Sequence, residues 1–186
     1  MKERLTVVDP FAAVIGSEIN SLAVPLWTPW PVPVGWTFGG LAYAGGNSGQ
    51  GDREDRGSAS AASWTGTDPF GDPAELILVC EEAGAGVGGH FAGLPMSYPT
   101  SGVGEGPPHA RFEIDGRPVS LWAVEGAPDR AVYAGEAAGR WLWVIVHPIE
   151  AGAIVVQPMQ LVDARTLGAE LTVLPVGELS PRLLLS

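Results

Sequence analysis

Lysine and cysteine are almost missing from this chain of 186 residues, since Lys2 is the single lysine and Cys80 the single cysteine. One cysteine excludes an internal disulfide and any zinc site built from cysteines. Cys80 lies in the apolar run "LILVCEE", which predicts a buried and unreactive thiol. Ten basic residues stand against 21 acidic ones, and the net charge is −11. The chain therefore lacks the basic stripe of a nucleic-acid-binding protein and the positive charge that attracts a protein to anionic membranes.

Long apolar runs are missing as well. The run "WLWVIV" in the C-terminal third is far shorter than the ~20 residues that a membrane-spanning helix needs. Near the N-terminus, Asp9 and Pro10 interrupt the apolar stretch that a secretory signal would require. Apolar residues still make up 46% of the chain, which predicts a packed core. We expect a cytoplasmic protein that folds as a single domain over residues 1–186.

Histidine is scarce, and its spacing does not suit a metal site. His90, His109 and His147 lie far apart, whereas zinc sites usually draw ligands in closely spaced pairs. The chain also lacks the Gly-x-Ser-x-Gly motif of serine hydrolases and the lysine-containing phosphate loop of nucleotide hydrolases. We therefore expect no bound metal and no cofactor.

Proline and tryptophan, in contrast, are concentrated in one stretch, "VPLWTPWPVPVGW", which we call the Trp–Pro segment (residues 24–36). Each proline lacks an N–H donor and biases its predecessor to extended geometry. This excludes a central strand and predicts an extended segment at a sheet edge or on the surface. Trp27 and Trp30 are then expected to be mostly buried against the sheet. Alternatively, Trp27, Trp30 and Trp36 line a docking strip or a ligand groove.

Alternating apolar residues at 34–44 and 110–124, and a run of consecutive apolar residues at 75–81, predict that most of the remaining chain forms strands. Strands are expected at 34–44 with a bulge at Gly39-Gly40, 58–65, 75–81, 110–124 as a hairpin turning at Asp115-Gly116, 131–134, 140–147, 153–157 and 170–177. Residues 75–81 also resemble a helix start. Helices are expected at 9–22 and 161–169, a flexible loop at 45–57 and a turn at 68–73. Together these elements predict an α+β fold, β-rich, with a mainly antiparallel sheet and one or two packed helices.

A glycine-rich stretch after residues 75–81 has the spacing of a dinucleotide-binding turn, with Gly84, Gly86 and Gly89 followed by His90. Such a turn needs a long helix whose N-terminal N–H groups hold a pyrophosphate. Pro95 leaves room for only about one helical turn. These residues are therefore weak candidates, and we predict that the turn binds no dinucleotide.

His109 and Arg111 form a further candidate pair. Two prolines precede His109, and Arg111 projects from the same side of the strand two residues later. Such a pair could supply a general base or bind an anion, but a capped turn would use the same residues.

Several blocks resemble an uncharacterised actinobacterial family, a domain of unknown function that is sometimes labelled phosphotransacetylase. They are "VPLWTPWPVPVGW", "ELILVCEEAGAGVG", "PPHARF", "LWAVEGAPDRAVYAGEAAGRWLWVIVHP" and "LPVGELSPRLLL". Members of this family often carry a zinc-ribbon-like segment with paired cysteines, which this chain does not contain. The resemblance supplies no catalytic residues, and transacetylases are usually larger two-domain α/β proteins, so the enzymatic label is not adopted.

Two functional hypotheses follow. In the first, the chain is a non-catalytic domain that binds a protein partner or a small molecule through the Trp–Pro segment. In the second, it is a small enzyme that uses His109 and Arg111, or the glycine-rich turn, on a phosphate- or acyl-containing anion. Neither nucleic acid nor membrane is an expected partner, and the oligomeric state is open.

Overall fold

The computed structural model of the chain describes residues 4–45, 58–95 and 102–184. Within these ranges, ten strands form one sheet in the order β1-β3-β4-β5-β9-β8-β7-β6-β10-β2. Neighbouring strands run antiparallel, apart from the parallel pair β6 and β10. The strands are β1 (Leu5–Val8), β2 (Trp27–Pro29), β3 (Thr37–Ala44), β4 (Ala59–Thr67), β5 (Pro73–Glu81), β6 (Ala110–Ile114), β7 (Arg117–Val124), β8 (Ala131–Ala137), β9 (Arg140–His147) and β10 (Gln160–Asp163). Helices α1 (Pro10–Ile15) and α2 (Val87–Ala92) accompany them, which confirms the predicted β-rich α+β class.

The sheet folds over onto its own face. Residues 117–121 of β7 pair with β6, whereas residues 122–124 pair with β8, so β7 joins the two parts of the sheet. At the far end of the strand order, β2 packs against β4 and β5. Large apolar side chains fill the space between these layers and form the first core: Leu26, Trp27, Phe38, Leu41, Trp64, Leu76, Leu78, Phe112, Leu121, Leu142 and Val144.

A second core lies on the opposite face of the central strands. Helix α2 and Leu183, near the end of the described residues, cover this face, and alanine is its commonest side chain on β3 and β4. Strand β5 therefore alternates between the two cores, with Leu76, Leu78 and Cys80 in the first and Ile77 and Val79 in the second. A continuous apolar run is typical of a strand that is buried on both faces.

The main strand predictions are confirmed. Residues 75–81 belong to β5 rather than to a helix. Strand β3 has a register shift between Phe38 and Leu41, where the bulge was expected. Asp115 and Gly116 have φ values of 51° and 72°, the positive angles that a two-residue hairpin turn requires.

The C-terminal third was predicted less well. The expected strand at 153–157 is wrong, because Ile149–Val156 forms a 3₁₀ helix whose Gly152 carbonyl accepts a hydrogen bond from Tyr133 on β8. The helix expected at 161–169 is largely wrong, since β10 occupies its beginning and only short 3₁₀ turns follow. The strand expected at 170–177 is wrong as well. Its first half is 3₁₀ helix, and only Val176 forms an isolated bridge, to Phe38.

The N-terminal helix begins as predicted but ends early. Asp9 caps it by accepting hydrogen bonds from the N–H groups of Phe11 and Ala12. The helix stops at Ile15, and a separate 3₁₀ turn at Ile19–Ser21 follows. Strand β1, which precedes it, was missed. Most of the loop expected at 45–57 lies outside the described residues.

The Trp–Pro segment runs along the edge of the sheet, as its prolines predicted. β2 ends the strand order and pairs only with β10. The Ser60 hydroxyl donates to the Pro25 carbonyl at 2.6 Å and fixes the segment over the first core. Trp27 is 3% exposed and Trp30 is half-buried. The Trp27 indole therefore packs in the first core, whereas the Trp30 indole is partly in contact with solvent.

We predict that Trp27→Ala lowers the free energy of unfolding by about 3–5 kcal/mol, because it empties a large site in the first core. Trp30→Ala should cost clearly less, since half of that side chain is already in contact with water. Urea denaturation followed by circular dichroism measures both values. A cost for Trp27→Ala within about 0.5 kcal/mol, the usual effect of a surface substitution, would contradict the structural role of this residue.

Candidate functional site

A groove with a volume of about 620 Å³ lies between the Trp–Pro segment, the turn after β4 and the connection into β10. This volume is within the usual range of ligand sites. We call it the Trp–Pro groove, and its lining residues are Trp30, Pro31, Pro33, Val34, Trp36, Thr67, Asp68, Pro69, Glu113, Ile154, Gln157, Pro158, Met159 and Gln160. Two of the three candidate tryptophans, Trp30 and Trp36, thus line one groove, although Trp36 is only 6% exposed and, like Trp27, also packs in the first core.

Backbone contacts hold the two groove tryptophans in place. The Trp30 N–H donates to the Gln160 carbonyl at 3.0 Å, which extends the pairing of β2 with β10 by one residue. The Trp36 N–H donates to the Pro33 carbonyl at 3.1 Å and closes a turn. The Trp36 ring lies on Gly66, where a Cβ atom would come within 2.3 Å of it. Only glycine at this position lets the ring pack so closely on β4.

The two groove tryptophans differ in exposure. Trp30 is half-buried, whereas Trp36 is 6% exposed and packs in the first core. Within the described residues, Nε1 of neither tryptophan makes a hydrogen bond, and the same holds for the fully buried Nε1 atoms of Trp27 and Trp64. What distinguishes Trp30 and Trp36 is therefore that both line the groove.

Two carboxylates give the groove a negative charge. Asp68 accepts hydrogen bonds through one oxygen from the N–H groups of Phe70 and Asp72, at 2.8 and 2.9 Å, and its second oxygen is unpaired among the described residues. The backbone N–H of Glu113 donates to the Met159 carbonyl at 2.9 Å and holds this residue in place. The Glu113 carboxylate has no hydrogen-bond partner among the described residues. None of the described residues that line the groove is lysine or arginine.

Exposed apolar side chains surround the opening. Val34 lines the groove and is fully exposed. Phe70 and Val156, which are 79% and 73% exposed, directly adjoin the lining residues Pro69 and Gln157 in the chain. Isolated exposed apolar residues are ordinary, but several beside one groove are typical of an interaction surface.

The pair His109 and Arg111 does not belong to this groove. His109 Nδ1 accepts a hydrogen bond from the Ala123 N–H at 3.1 Å, and the backbone N–H of His109 donates to the Leu121 carbonyl at 2.9 Å. Arg111 is exposed and has no partner among the described residues. The imidazole therefore connects the start of β6 to β7.

The glycine-rich turn is closed by a carboxylate of the chain itself. Glu81, which is 1% exposed, accepts hydrogen bonds from the N–H groups of Val87 and Gly88 at 2.7 and 3.1 Å. Its other oxygen accepts from Trp143 Nε1 at 2.7 Å. Burial raises the pKa of the Glu81 carboxyl, and the hydrogen bonds from Gly88, Trp143 and Val87 act against that rise. The N–H groups that would hold a phosphate therefore already have an acceptor.

The glycines of this turn serve packing and backbone geometry. Gly84 and Gly86 have φ values of 92° and 80°. A Cβ atom on Gly88 would lie 2.2 Å from the Trp143 ring. His90 is half-buried in α2, with an edge-on ring contact to Phe91. The six-residue helix that follows is too short to provide the helix N-terminus of a dinucleotide site.

Sequence reasoning missed a polar row across the second core. Glu75 and His147 are directly opposed on β5 and β9. The Glu75 carboxylate accepts hydrogen bonds from Ser63 Oγ at 2.7 Å, from the Ser180 hydroxyl, and from Arg182 Nε at 2.9 Å. These contacts tie the C-terminal segment to the sheet. No local signal could have revealed them, because residues 63, 75, 147 and 180 are far apart in the chain.

His147 is held neutral within this row. It is 3% exposed, and Nδ1 has no hydrogen-bond partner among the described residues. Burial, followed by the charges of Arg182 and Arg130, lowers the pKa of His147 to about 4, and Asp129 acts against this. Cys80 is similarly inert, since burial raises its pKa to about 12, which agrees with the prediction from its apolar run.

We predict that Glu81→Gln lowers the free energy of unfolding by about 2–3 kcal/mol, because the new amide N–H₂ group must face an N–H donor. The matched control is Glu82→Gln, since Glu82 forms a half-exposed ion pair with Arg140 and should contribute only about 0.5 kcal/mol. Urea denaturation measures both. Equal costs for the two variants would mean that Glu81 does not hold the glycine-rich turn.

We also predict that stability depends on His147 at mildly acidic pH. A histidine with a lowered pKa in the folded state binds its proton more readily when unfolded, so its neutral form stabilises the fold above pH 6.5. This contribution, about 3 kcal/mol, should be lost progressively as the pH falls from 6.5 to about 4.

Urea denaturation across this pH range tests the prediction by comparing the wild type with His147→Asn. The variant should lose less stability over this pH range than the wild type. Parallel pH profiles for wild type and His147→Asn would refute the assignment.

Two negative findings concern the described residues only. None of their helices is long and apolar enough to cross a membrane. No group of three or more His, Cys, Asp or Glu side chains among them is placed to hold a metal ion.

Comparison with known proteins gives one match. A model of a family of unknown function (DUF6758) matches residues 4–183, nearly the whole chain, which confirms the resemblance to a domain of unknown function. No curated protein and no solved structure matches the chain. The chain therefore belongs to the family of unknown function DUF6758.

Proposed function

We propose that this chain is a non-catalytic binding domain, and that the Trp–Pro groove takes up a segment of a partner protein or a small molecule. The observation that carries the proposal is a groove of about 620 Å³ that is lined by the half-buried Trp30, by Trp36 and by the fully exposed Val34. Tryptophan is prominent where partners bind, because it combines a large apolar face with one N–H donor. A ligand with acceptor groups and apolar surface would satisfy both features of the groove.

The enzymatic alternative has less support. An anionic substrate needs positive charge or free N–H groups arranged around it. The groove instead carries the carboxylates of Asp68 and Glu113, and the glycine-rich turn donates its N–H groups to Glu81. His109 uses Nδ1 in a contact between strands, away from the groove.

The proposal places the protein in the cytoplasm. A single buried cysteine fits a reducing compartment, where disulfides are rare. The net charge of −11 opposes binding to nucleic acids and to anionic lipid surfaces, so neither is proposed as a partner.

The direct test is nuclear magnetic resonance of the ¹⁵N-labelled full chain with small neutral probes, including N-acetylproline methylamide and indole. The Nε1–H signals of Trp30 and Trp36 should shift on titration. The signal of Trp143 should not, because its N–H is bonded to Glu81 within the second core. Shifts confined to other parts of the chain, or no shifts at all, would contradict the proposal.

Matched variants locate the binding. Trp30→Ala should abolish the shift of the remaining groove signal. Trp122→Ala removes another half-buried indole, one that donates to the Gly106 carbonyl outside the groove, and should leave probe binding unchanged. Equal weakening by the two variants would show that the loss comes from general destabilisation and not from the groove.

A further inference from the structure

We propose that the occupant of the Trp–Pro groove is an extended, proline-containing segment of another protein that carries an arginine or lysine. This inference rests on the proposed function and narrows it to one class of partner. It depends on the indole N–H groups, the two carboxylates and the aromatic side chains of the residues that line the groove.

The free donors fit a polyproline segment. A proline has no N–H group, so a proline-rich ligand offers carbonyl oxygens that only donors on the protein can satisfy. Trp30 and Trp36 line the groove and each carries one indole N–H, which makes no hydrogen bond among the described residues. Grooves lined by aromatic rings are the usual sites for such segments, because the ligand is already extended and loses little entropy on binding.

The carboxylates select the charge of the ligand. Asp68 keeps one oxygen free after capping its own turn, and Glu113 has no side-chain partner in the described part of the chain. With no basic side chain among the described lining residues, their charge is not neutralised within the groove. An arginine or lysine in the ligand would pair with them, and the net charge of −11 would favour the approach of a basic partner.

The same charges disfavour other occupants. A phosphate- or carboxylate-bearing small molecule would lie beside Asp68 and Glu113 without a counter-charge. A second copy of this chain would bring its own net charge of −11 to the interface. The exposed Val34 and Phe70 beside the opening would instead contact the apolar stem of a long basic side chain.

The experiment measures the affinity of the full chain for three synthetic peptides by fluorescence anisotropy. One peptide is proline-rich with two arginines, the second replaces these arginines with glutamate, and the third keeps the arginines but replaces proline with glycine. The first should bind most tightly, by about tenfold or more over each of the others. Its affinity should also fall as salt is added.

Two sets of variants assign the contacts. The double variant Asp68→Asn, Glu113→Gln keeps the turn-capping oxygen of residue 68, removes both charges, and should cancel the preference for arginine over glutamate. Its control is Glu136→Gln, which changes an exposed acid on β8 and should retain the preference. Trp30→Ala should weaken all three peptides, and Trp122→Ala none; unfolding curves verify that each variant is folded.

The outcomes separate this inference from the proposed function. Binding of the neutral probes without binding of any peptide overturns the inference and leaves a small-molecule binding site. Peptide binding without preference for arginine, or without dependence on proline, also overturns it. Failure of the probes and the peptides together refutes the proposed function as well.

Discussion

Four prolines in residues 24–36 lack the backbone N–H group that strand pairing requires, and this determines the architecture around the candidate site. Because residues 24–36 cannot pair on both sides, they end the sheet instead of extending it. β2 therefore turns back over β4 and β5, where Trp27 fills the first core. The rest of the segment then follows the surface, and this leaves Trp30 and Trp36 facing a groove instead of a neighbouring strand.

Buried carboxylates organise the second core. Glu81 connects the glycine-rich turn to Trp143 on β9, and Glu75 connects Ser63 on β4 to the C-terminal residues Ser180 and Arg182. A buried charge is tolerated only where hydrogen bonds satisfy it, and both carboxylates have such bonds. Glu81 therefore gives the glycine-rich turn a structural role, although the spacing of its glycines resembles a dinucleotide-binding turn.

The proposed binding role rests on the side chains that line one groove. Aromatic rings and two carboxylates meet there, while His109 and His147 lie elsewhere among the described residues and take part in the fold. In the proposal, the rings provide contact area and the carboxylates select the charge of the partner.

The sequence by itself determined the features that depend on near neighbours in the chain. The continuous apolar runs of β5 and β9, the Asp115-Gly116 turn and the bulge in β3 were recognised in the sequence, because backbone angles and hydrophobic patterning are local properties. Proline content determined that residues 24–36 would run along an edge.

Only the tertiary structure decided which distant residues meet. Ile149–Val156 is apolar enough for a strand, yet packing on β8 makes it a 3₁₀ helix. Asp68 and Glu113 are 45 residues apart in the chain, and only the fold brings them into one groove with Trp30 and Trp36. Packing between distant residues leaves no signal in a local sequence pattern. The tryptophans therefore indicated a groove, but the sequence could not predict that two carboxylates would line it.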